Sequence, residues 1–394
     1  MRKKKTPAEL SEKFLAALKS VVITDASAIH EPFFIGKEKE YLSQCIDSTY
    51  VSSVGAFVGE FETKLIKYTG AKYAIAVVNG TSALHIALKV VGVKPKDEVL
   101  VPAMTFIGTA NAVSYCGATP HLVDIEEKTL GMDVSKLRHY LNSIVTKRNN
   151  LSINRKTGNI IKAIIPMHAY GHPTEIDNLK ELCDEFHLRM VEDAAESLGS
   201  IYKGKHTGTI GDMGIISFNG NKTITTGGGG VIITNDEDLA SKARHLSTTA
   251  RIQHEWKMVH DDVGYNYRMP NINAALGCAQ MEYIEDIIKY KRLLFQRYKI
   301  AFLGVEEIRL VEEPKNCRSN YWLQTIVLNS SCKNQRDLLL NITNKSKIPT
   351  RAAFTPLNQL LPYAACPSMG TPCSDDIASR IINIPSGARI AYGL

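Results

Sequence analysis

The stretch SFNGNKTITTGGGG, residues 217–230, places a single lysine, Lys222, after one apolar β-type run and before a glycine run that leads into the next. A lysine amine attacks a carbonyl carbon only when it is unprotonated, whereas a free lysine, with a pKa of about 10.4, is charged at neutral pH. Burial lowers this pKa. Because no acidic residue occurs between Met213 and Asn235, we expect Lys222 to lack a carboxylate partner. The pattern is that of either a reactive lysine or an ordinary turn lysine.

A second segment could bind an anion. In VVNGTSALHIAL, residues 77–88, an apolar run ends in a turn at Gly80, and Thr81 and Ser82 open a helix-like stretch. The free N–H groups and the positive dipole end of a helix N-terminus attract anions, and the two hydroxyls add donors. The same residues also form ordinary helix caps, so the segment alone leaves both interpretations open.

A third candidate is Asp193, which ends the apolar run in LRMVEDAAESLGS, residues 188–200. In doubly wound sheets, ligands bind at the carboxyl ends of the strands, and a carboxylate there faces the crevice. Such a carboxylate suits a cofactor whose ring nitrogen must stay protonated. It could equally cap a helix.

A fourth segment, GYNYRMPNINAALG at residues 264–277, mixes amide, guanidinium and aromatic side chains, including Asn266 and Arg268. This mixture is unusual for a plain linker. It indicates either a binding segment or a packed junction between domains.

The elements that position these residues follow from hydrophobic patterning. Short apolar runs alternate with helix-like stretches, at residues 73–78, 98–103, 120–125, 162–167, 188–195, 214–219 and 230–235. Runs without polar alternation are typical of parallel strands covered by helices on both faces, which predicts an α/β fold. The two runs around Lys222 are too close for a crossover helix, so we expect them to be antiparallel. The polar stretch 146–159 is predicted to be a surface loop.

The pattern changes near residue 270. A long helical pattern from Asn271 to about Phe302 leads into short strand-like and helix-like runs. We therefore predict an N-terminal helical extension (1–30), a large domain (31–270) and a smaller α+β domain (271–394). In the extension, Thr6 as N-cap and Pro7 at the first helical position mark a helix start.

The composition excludes several classes of protein. The 47 Lys and Arg residues against 40 Asp and Glu give a net charge of +7, with the surplus concentrated at residues 2–5 and 147–162. These basic residues indicate either a solvated tail and a solvated loop or a weak attraction for anionic ligands. No nucleic-acid partner is expected. No apolar run approaches the roughly 20 residues of a membrane span. The eight dispersed cysteines favour neither a disulfide framework nor a metal site, which predicts a cytoplasmic protein.

Five blocks, in this order, resemble the DegT/DnrJ/EryC1/StrS family of PLP-dependent nucleotide-sugar aminotransferases, over about residues 32–385. They are NGTSALHIAL, VPAMTFIGTANAV, EDAAESLG, SFNGNKTITTGGGG and GYNYRMPNINAALG. The resemblance implies PLP fold type I, as in aspartate aminotransferase, with a mixed, mostly parallel sheet in the large domain.

The resemblance also implies roles for individual residues. Lys222 would form the internal Schiff base with pyridoxal 5'-phosphate (PLP) and carry protons, while Asp193 would pair with the pyridinium nitrogen. A homodimer with shared active sites follows, because Asn266 would reach the cofactor phosphate of the other subunit. The other implied cofactor contacts are Gly80, Thr81, Ser82 and Ser217 at the phosphate, Phe106 on the ring and Glu196 near the phenolic oxygen.

A more local resemblance concerns the substrate. HEPFFIGKEKEYL, YVSSVGAFVGEFE, SFNGNK and HDDVGYNYRMPN are similar to the subgroup that aminates C4 of UDP-2-acetamido-4-keto-6-deoxyhexoses. This resemblance implies glutamate as amino donor and a role in bacterial surface glycan synthesis. Asn219, Asn221 and Arg268 are candidate substrate contacts. Gly228 departs from related sequences, which often carry glutamate there.

Several alternatives stay open on the sequence. Amination at C3, or of a GDP- or dTDP-linked sugar, fits the same motifs. A sugar 3-dehydratase would carry histidine in place of Lys222. A noncatalytic PLP- or sugar-binding regulator would be expected to have lost Lys222 or Asp193, and both are present.

Overall fold

The computed structural model describes residues 7–23 and 28–392 of the chain. The proposed N-cap Thr6 and the basic residues 2–5 lie outside the described residues. The described residues form twelve α-helices: α1 (Pro7–Val21), α2 (Glu38–Asp47), α3 (Ala56–Thr69), α4 (Gly80–Val90), α5 (Ile107–Tyr115), α6 (Val134–Ile144), α7 (Ile176–Phe186), α8 (Glu237–Ser247), α9 (Asn271–Met281), α10 (Ile284–Ala301), α11 (Arg336–Lys345) and α12 (Pro372–Ala378).

The same residues form eighteen strands, several of only two residues. They are β1 (Tyr73–Val77), β2 (Glu98–Pro102), β3 (Thr119–Val123), β4 (Val145–Arg148), β5 (Leu151–Asn154), β6 (Ile160–Ile164), β7 (Arg189–Asp193), β8 (Ile201–Tyr202), β9 (Lys205–His206), β10 (Met213–Ser217), β11 (Gly230–Thr234), β12 (Arg251–Ile252), β13 (Val259–His260), β14 (Ile308–Leu310), β15 (Cys317–Arg318), β16 (Gln324–Leu328), β17 (Arg351–Ala352) and β18 (Ile381–Ile384).

The central sheet has the strand order β1-β11-β10-β7-β6-β2-β3. From β10 to β3 the neighbouring strands are parallel, whereas β11 lies antiparallel between β1 and β10. Strands β2 and β11 are buried at every position, and their central residues are apolar, as in strands covered on both faces. The predicted α/β fold with a mostly parallel sheet is confirmed, and so is the antiparallel pair around Lys222.

The candidate site residues Asp193, Lys222 and Gly80 lie at the carboxyl edge of this sheet. Because β7 and β10 are parallel neighbours, Asp193 at the end of one lies opposite Ile215, near the end of the other. Residues 218–229, which include Lys222, leave β10 at this edge and return as β11. The first turn of α4 follows β1 at the same edge, where Val77 pairs with Gly230. The topology therefore brings together segments far apart in sequence.

The predicted surface loop at 146–159 is wrong, because β4 and β5 form a β-hairpin that pairs with β6. The buried side chains of the hairpin are Val145 of β4 and the polar Ser152 and Asn154 of β5. Asn154 is buried and donates a hydrogen bond of 2.9 Å to the carboxylate of Glu98. A strand whose buried face is polar has no apolar alternation, so patterning gave no signal for it.

Helices cover both faces of the central sheet. Alternate residues of β1 contact different cores: Ile75 packs with α4, α5 and α8, while Ala74 packs with α3 and α9. The predicted long helix is interrupted at Glu282 and Tyr283, whose N–H groups bond three residues back. Its second half, α10, also packs against α1 and the four-stranded sheet β14-β16-β18-β17. The division into domains at residue 270 stays a prediction.

Among the helices of the described residues, none combines the length and the apolar character that crossing a membrane requires.

Candidate active site

A cavity of about 290 Å³ lies at the carboxyl edge of the central sheet. Two thirds of the predicted site residues line it: Gly80, Thr81, Phe106, Asp193, Ser217, Asn219, Asn221 and Lys222. Four do not, namely Ser82, Glu196, Asn266 and Arg268. The sequence segments that could do chemistry thus converge on one place.

The turn between β1 and α4 forms one wall of the cavity. Asn79 is the N-cap of α4, and its side chain accepts a hydrogen bond of 2.8 Å from the N–H of Ser82. The N–H groups of Gly80 and Thr81, in the first turn, have no partner within the helix. A Cβ atom at Gly80 would lie 3.1 Å from that of Ser217, so the absent side chain leaves room between the two. The wall offers N–H and hydroxyl donors, as an anion site requires.

The start of α5 packs closely against this turn. Phe106 is the N-cap residue of α5 and is 52% exposed. A Cβ atom at Gly108 would lie 2.8 Å from the Thr81 hydroxyl and 2.9 Å from the Phe106 ring. A larger residue at position 108 would therefore displace groups on two walls of the cavity.

Asp193 is 4% exposed, and both of its carboxylate oxygens are bonded. The hydroxyl of Thr109 donates to one oxygen at 2.8 Å, and the N–H of Ala195 donates to the other at 3.2 Å. Burial raises the pKa of Asp193, and these two hydrogen bonds and the positive charge of Lys222 oppose that rise. The sequence gave no individual signal for Thr109, although the block VPAMTFIGTANAV contains it.

Lys222 has a carboxylate partner, contrary to the expectation from its neighbours in sequence. Its Nζ lies 3.4 Å from Oε1 of Glu196 and 3.9 Å from the ring centre of Trp322, and its side chain is 14% exposed. Burial is the largest influence on the pKa of Lys222 and lowers it, while Glu196 and Asp193 act in the opposite direction. The partner comes from a different strand end, which local sequence could not reveal.

Glu196 contacts Lys222 but does not line the cavity. Its second oxygen accepts a hydrogen bond of 2.8 Å from the N–H of Tyr170, a residue with a left-handed backbone at φ +56°. Asn320 donates to the carbonyl oxygen of Glu196 at 2.9 Å and so links this turn to the C-terminal part of the chain. Burial raises the pKa of Glu196 to about 7.

The two predicted residues of the GYNYRMPN segment lie away from the cavity. Arg268 forms a backbone bridge with Val77, and Asn266 forms one with Thr248. Asn266 is exposed, as a residue that reaches another subunit would be. Its implied role stays a prediction, as do the roles of the other site residues.

The glycine run after Lys222 has two structural reasons. Gly227 has φ +79°, a left-handed backbone that favours glycine. A Cβ atom at Gly230 would lie 2.5 Å from the Asn79 carbonyl carbon, so β11 and the α4 turn could not approach each other with a side chain there. A Cβ atom at Gly228 would lie 3.9 Å from the Val78 carbonyl oxygen, an ordinary contact, and nothing in the structure explains that glycine.

Sequence reasoning missed lining residues from distant segments. Trp322, Arg351 and Phe354 come from the C-terminal third of the chain. The indole N–H of Trp322 donates to the carbonyl oxygen of Asn221 at 2.7 Å and holds the turn before the lysine. The other lining residues without a prediction are Asn79, Leu84, Gly108, Thr109, Met167, Ala195 and Ile215.

Comparison with known proteins identifies the chemistry. The sequence profile of the DegT/DnrJ/EryC1/StrS aminotransferase family matches residues 34–392. The chain belongs to this family. It is 38% identical to the GDP-perosamine synthase of Escherichia coli O157:H7, over 91% of this chain and 92% of that protein. It is 30% identical to the UDP-2-acetamido-2-deoxy-3-oxo-D-glucuronate aminotransferase of Pseudomonas aeruginosa, over 84% and 86% of the two chains.

Comparison with solved structures supports the same family. The crystal structure of DesI in the presence of its TDP-sugar product superimposes with a TM-score of 0.82 at 25% identity, covering 93% of this chain and 90% of that one. The chain is a PLP-dependent aminotransferase with fold type I. The cavity fits that cofactor, because it combines an anion-binding turn at Gly80, a buried carboxylate at Asp193 and a desolvated amine at Lys222.

Proposed function

We propose that this enzyme transfers an amino group from glutamate to the C4 keto group of a nucleotide-linked 4-keto-6-deoxy sugar. The observation that carries the proposal is the grouping of Lys222, Asp193 and the turn at Gly80 in one cavity of an aminotransferase-family chain. In the net reaction the sugar C=O becomes CH–NH₂ and glutamate becomes 2-oxoglutarate. The two substrates exchange amino and oxo groups, so no external oxidant or reductant is needed.

The proposed cofactor contacts follow the geometry of the walls. When bound, PLP supplies an electron-withdrawing ring that stabilises negative charge on the carbon that loses a proton. Asp193 would accept a hydrogen bond from the ring nitrogen and keep that nitrogen protonated. The other proposed contacts are Gly80, Thr81, Ser82 and Ser217 for the phosphate, Phe106 for the ring face and Glu196 for the region of the phenolic oxygen.

Lys222 is proposed to be both the attachment point of the cofactor and the group that moves protons. Because burial lowers the pKa of Lys222, a larger fraction of its amine is neutral near pH 7 than for a free lysine. A neutral amine can take the proton from the α-carbon of glutamate and deliver a proton to C4 of the sugar. Both half-reactions therefore use the same nitrogen atom, at the same point of the cavity.

Two nucleotides, UDP and GDP, are candidates for the one linked to the sugar substrate. The four local stretches described in the sequence analysis favour a UDP-linked 2-acetamido-4-keto-2,6-dideoxyhexose. The 38% identity to a GDP-perosamine synthase favours a GDP-linked sugar, again with its amino group at C4. Both observations support C4, and the similarity to a 3-oxo-sugar aminotransferase keeps C3 as the alternative position. Asn219 and Asn221 line the cavity and are the proposed sugar contacts, and Arg268 is proposed to act from outside it.

The assay that tests this function follows 2-oxoglutarate formation with glutamate and a panel of UDP-, GDP- and dTDP-linked 4-keto and 3-keto sugars. We expect the highest kcat/KM with a 4-keto UDP sugar and product carrying its amine at C4 by NMR. Turnover of only GDP sugars would replace the nucleotide assignment. Turnover of only 3-keto sugars would overturn the C4 assignment, and no turnover with any sugar would overturn the proposed function.

A homodimer with shared active sites is part of the proposal. Trp256, Met258 and Val263 are 76%, 71% and 77% exposed and lie in the segment that precedes Asn266. Large exposed apolar side chains in one segment indicate a protein interface. In the proposed dimer this interface carries Asn266 to the cofactor phosphate of the other subunit.

Mixing two inactive variants tests the shared site. Lys222→Ala removes the amine, and Asn266→Asp sets a negative charge against the partner's phosphate. If Asn266 acts across the interface, a heterodimer of the two variants has one intact site, and co-refolding should restore activity. No recovery in a mixture that is dimeric by light scattering would contradict the proposed sharing.

A cytoplasmic location is also proposed. All eight cysteines are free thiols in the structure, and five of them are buried. Unpaired cysteines are typical of a reducing compartment.

A further inference from the structure

Lys291, on α10, is a fully buried lysine without a role in the proposed chemistry. Its Nζ donates hydrogen bonds to two main-chain carbonyl oxygens, at 2.7 Å to Ser386 and at 3.0 Å to Trp322. Among the described residues, no carboxylate pairs with it, and burial lowers the pKa of Lys291. A lysine is rarely buried without an ionic partner, because its charge is costly to remove from water. The position of Lys291 therefore has to be explained by what its two carbonyl contacts hold in place.

The two carbonyl groups lie where a pair of neighbouring strands ends. β16 begins at Gln324, which pairs with Ile384 at the end of β18. Beyond that pair the two chain segments leave the sheet, and the carbonyl groups of Trp322 and Ser386 lie outside the paired residues. Lys291 donates to both carbonyl groups and so joins the two segments at the place where the pairing stops.

Trp322 connects this place to the cavity, which it lines. Its main chain is fixed on both sides, because its N–H donates to Oδ1 of Asn320 at 2.8 Å and its carbonyl oxygen accepts from Lys291. The indole N–H donates to the carbonyl oxygen of Asn221 at 2.7 Å, and Nζ of Lys222 lies 3.9 Å from the ring centre. The indole therefore contacts both the turn before Lys222 and the Lys222 amine.

We propose that Lys291 is a positioning residue for Lys222 and acts through Trp322. By fixing the Trp322 carbonyl group, Lys291 sets the place of an indole ring that covers one side of the Lys222 amine and anchors the turn before it. The inference rests on the proposed function, since it takes Lys222 as the reactive amine. Among the described residues, Lys291 does not line the cavity, so its contact with Lys222 has to pass through another residue.

The indole ring contributes to the burial of Lys222, and burial is the largest cause of the lowered pKa of Lys222. A ring that could turn away would admit water to the amine, which favours the charged form and raises that pKa. The charge of Lys291 could also act on Lys222 directly, through space. Such a direct effect would not depend on the ring, so a double-mutant cycle with Trp322 separates the two explanations.

The place of the ring is measured by fluorescence of the cofactor-free protein. The chain has two tryptophans, and the other one, Trp256, is 76% exposed. In a Trp256→Phe background the emission comes from Trp322 alone. Lys291→Met removes the N–H donors but keeps an apolar side chain of similar size, and it should shift this emission to longer wavelength and increase its quenching by acrylamide. The matched control, Lys289→Met, removes the same charge from an exposed position on α10 and should leave the emission unchanged.

The state of the Lys222 amine is measured in the same cofactor-free proteins, by competitive acetylation with acetic anhydride over a range of pH and mass spectrometry of the Lys222 peptide. The midpoint of the pH profile reports the pKa of the amine, and the plateau reports its accessibility. In Lys291→Met the midpoint should rise, and the neutral fraction at pH 7 should fall by about 3- to 10-fold, within the factor of ten that one pKa unit represents. Lys291→Gln, whose amide keeps two N–H donors, should restore part of the wild-type profile.

Trp322→Leu removes the ring and completes the cycle. If Lys291 acts through Trp322, this variant should raise the Lys222 midpoint by itself, and adding Lys291→Met should change the midpoint no further. An equal change with and without the ring would assign the effect to the charge of Lys291 and overturn the inference. Unchanged Trp322 emission and an unchanged Lys222 profile in Lys291→Met would also overturn it, even with lower stability in urea. If Lys291→Met does not fold, Lys291→Gln takes its place in the cycle.

These measurements do not depend on turnover, because they use the cofactor-free protein. Failure of the wild type to aminate any keto sugar would overturn the proposed function and leave the measured link between Lys291 and Lys222 as it is.

Discussion

Two buried glutamates at opposite edges of the central sheet differ in the direction of their pKa shifts. Glu98 begins β2 at the amino edge and is fully buried. It accepts hydrogen bonds from His121 at 2.7 Å, from Asn154 at 2.9 Å and from Thr157. Burial alone would raise the pKa of Glu98, but these three donors outweigh burial and lower it.

Glu196, beyond the carboxyl end of β7, has fewer donors. It accepts two hydrogen bonds, from the N–H of Tyr170 at 2.8 Å and from Nζ of Lys222 at 3.4 Å. Here burial prevails, and the pKa of Glu196 rises to about 7. The comparison shows that the direction of the pKa shift of a buried carboxylate depends on how many hydrogen bonds offset its burial. A fully bonded carboxylate fixes structure, while a poorly bonded one beside a cavity is available for chemistry.

The largest effect on catalysis is expected for Lys222, at the carboxyl edge of the central sheet. Lys222→Ala should lower turnover by about 10⁴-fold, the upper end of the range for proton transfer by a positioned group. Borohydride, which should link the cofactor to Lys222 in the wild type, should leave none attached to the variant by mass spectrometry. The circular dichroism spectrum serves as the folding control. Turnover near the wild-type rate would assign the amine chemistry to another residue.

Asp193→Asn should have the next largest effect on the rate of catalysis. It keeps the shape of the side chain but removes the charge proposed to hold the ring nitrogen protonated, and the loss of one electrostatic contact in an active site costs about 10²- to 10³-fold in rate. Single-turnover kinetics with glutamate should show the loss in the proton-transfer step, with cofactor still bound. Thr109→Ser is a control that keeps the hydroxyl bonded to Asp193. An unchanged rate in Asp193→Asn would place the partner of the ring nitrogen elsewhere.

At the amino edge, Glu98→Gln should affect stability and not catalysis. It removes charge-assisted hydrogen bonds, and the free energy of unfolding at pH 7 should fall by about 1.5–3 kcal/mol in urea titrations. Because the pKa of Glu98 is lowered from 4.5, its stabilising effect is present above that pH and is lost as the pH falls through the folded-state value. The variant should therefore lose less stability than the wild type in acid. A reduced kcat at constant fold would break the contrast between the two edges.

Glu196→Gln in the cofactor-free protein should change how stability depends on pH. The pKa of Glu196 is raised from 4.5 to about 7, so the folded state binds more protons between these values and stability from this group falls as the pH rises through them. Replacing Glu196 with an amide should flatten the dependence of the unfolding free energy on pH over that range. A slope equal to that of the wild type would show that Glu196 titrates normally.

Particular residues show how far sequence reasoning reached. Lys222, Asp193 and the Gly80 turn each follow or precede an apolar strand, and strand ends are readable from patterning. Their motifs also carried the family assignment, which the comparisons confirm. Trp322 and Arg351 had no such signal, because Trp322 precedes β16 and Arg351 lies on β17, more than 90 residues along the chain from Lys222.

The sequence by itself determined the α/β architecture, the antiparallel pair around Lys222 and the candidate cofactor-binding segments, since apolar runs and turn residues act over short distances along the chain. Only the tertiary structure decided which side chains contact one another. It set Glu196 beside a lysine with no acidic neighbour in sequence, buried the polar hairpin at 145–154 against Glu98, and brought Arg351 to the cavity. Burial and hydrogen bonding are properties of groups that meet in space, and no spacing along the chain encodes which groups meet.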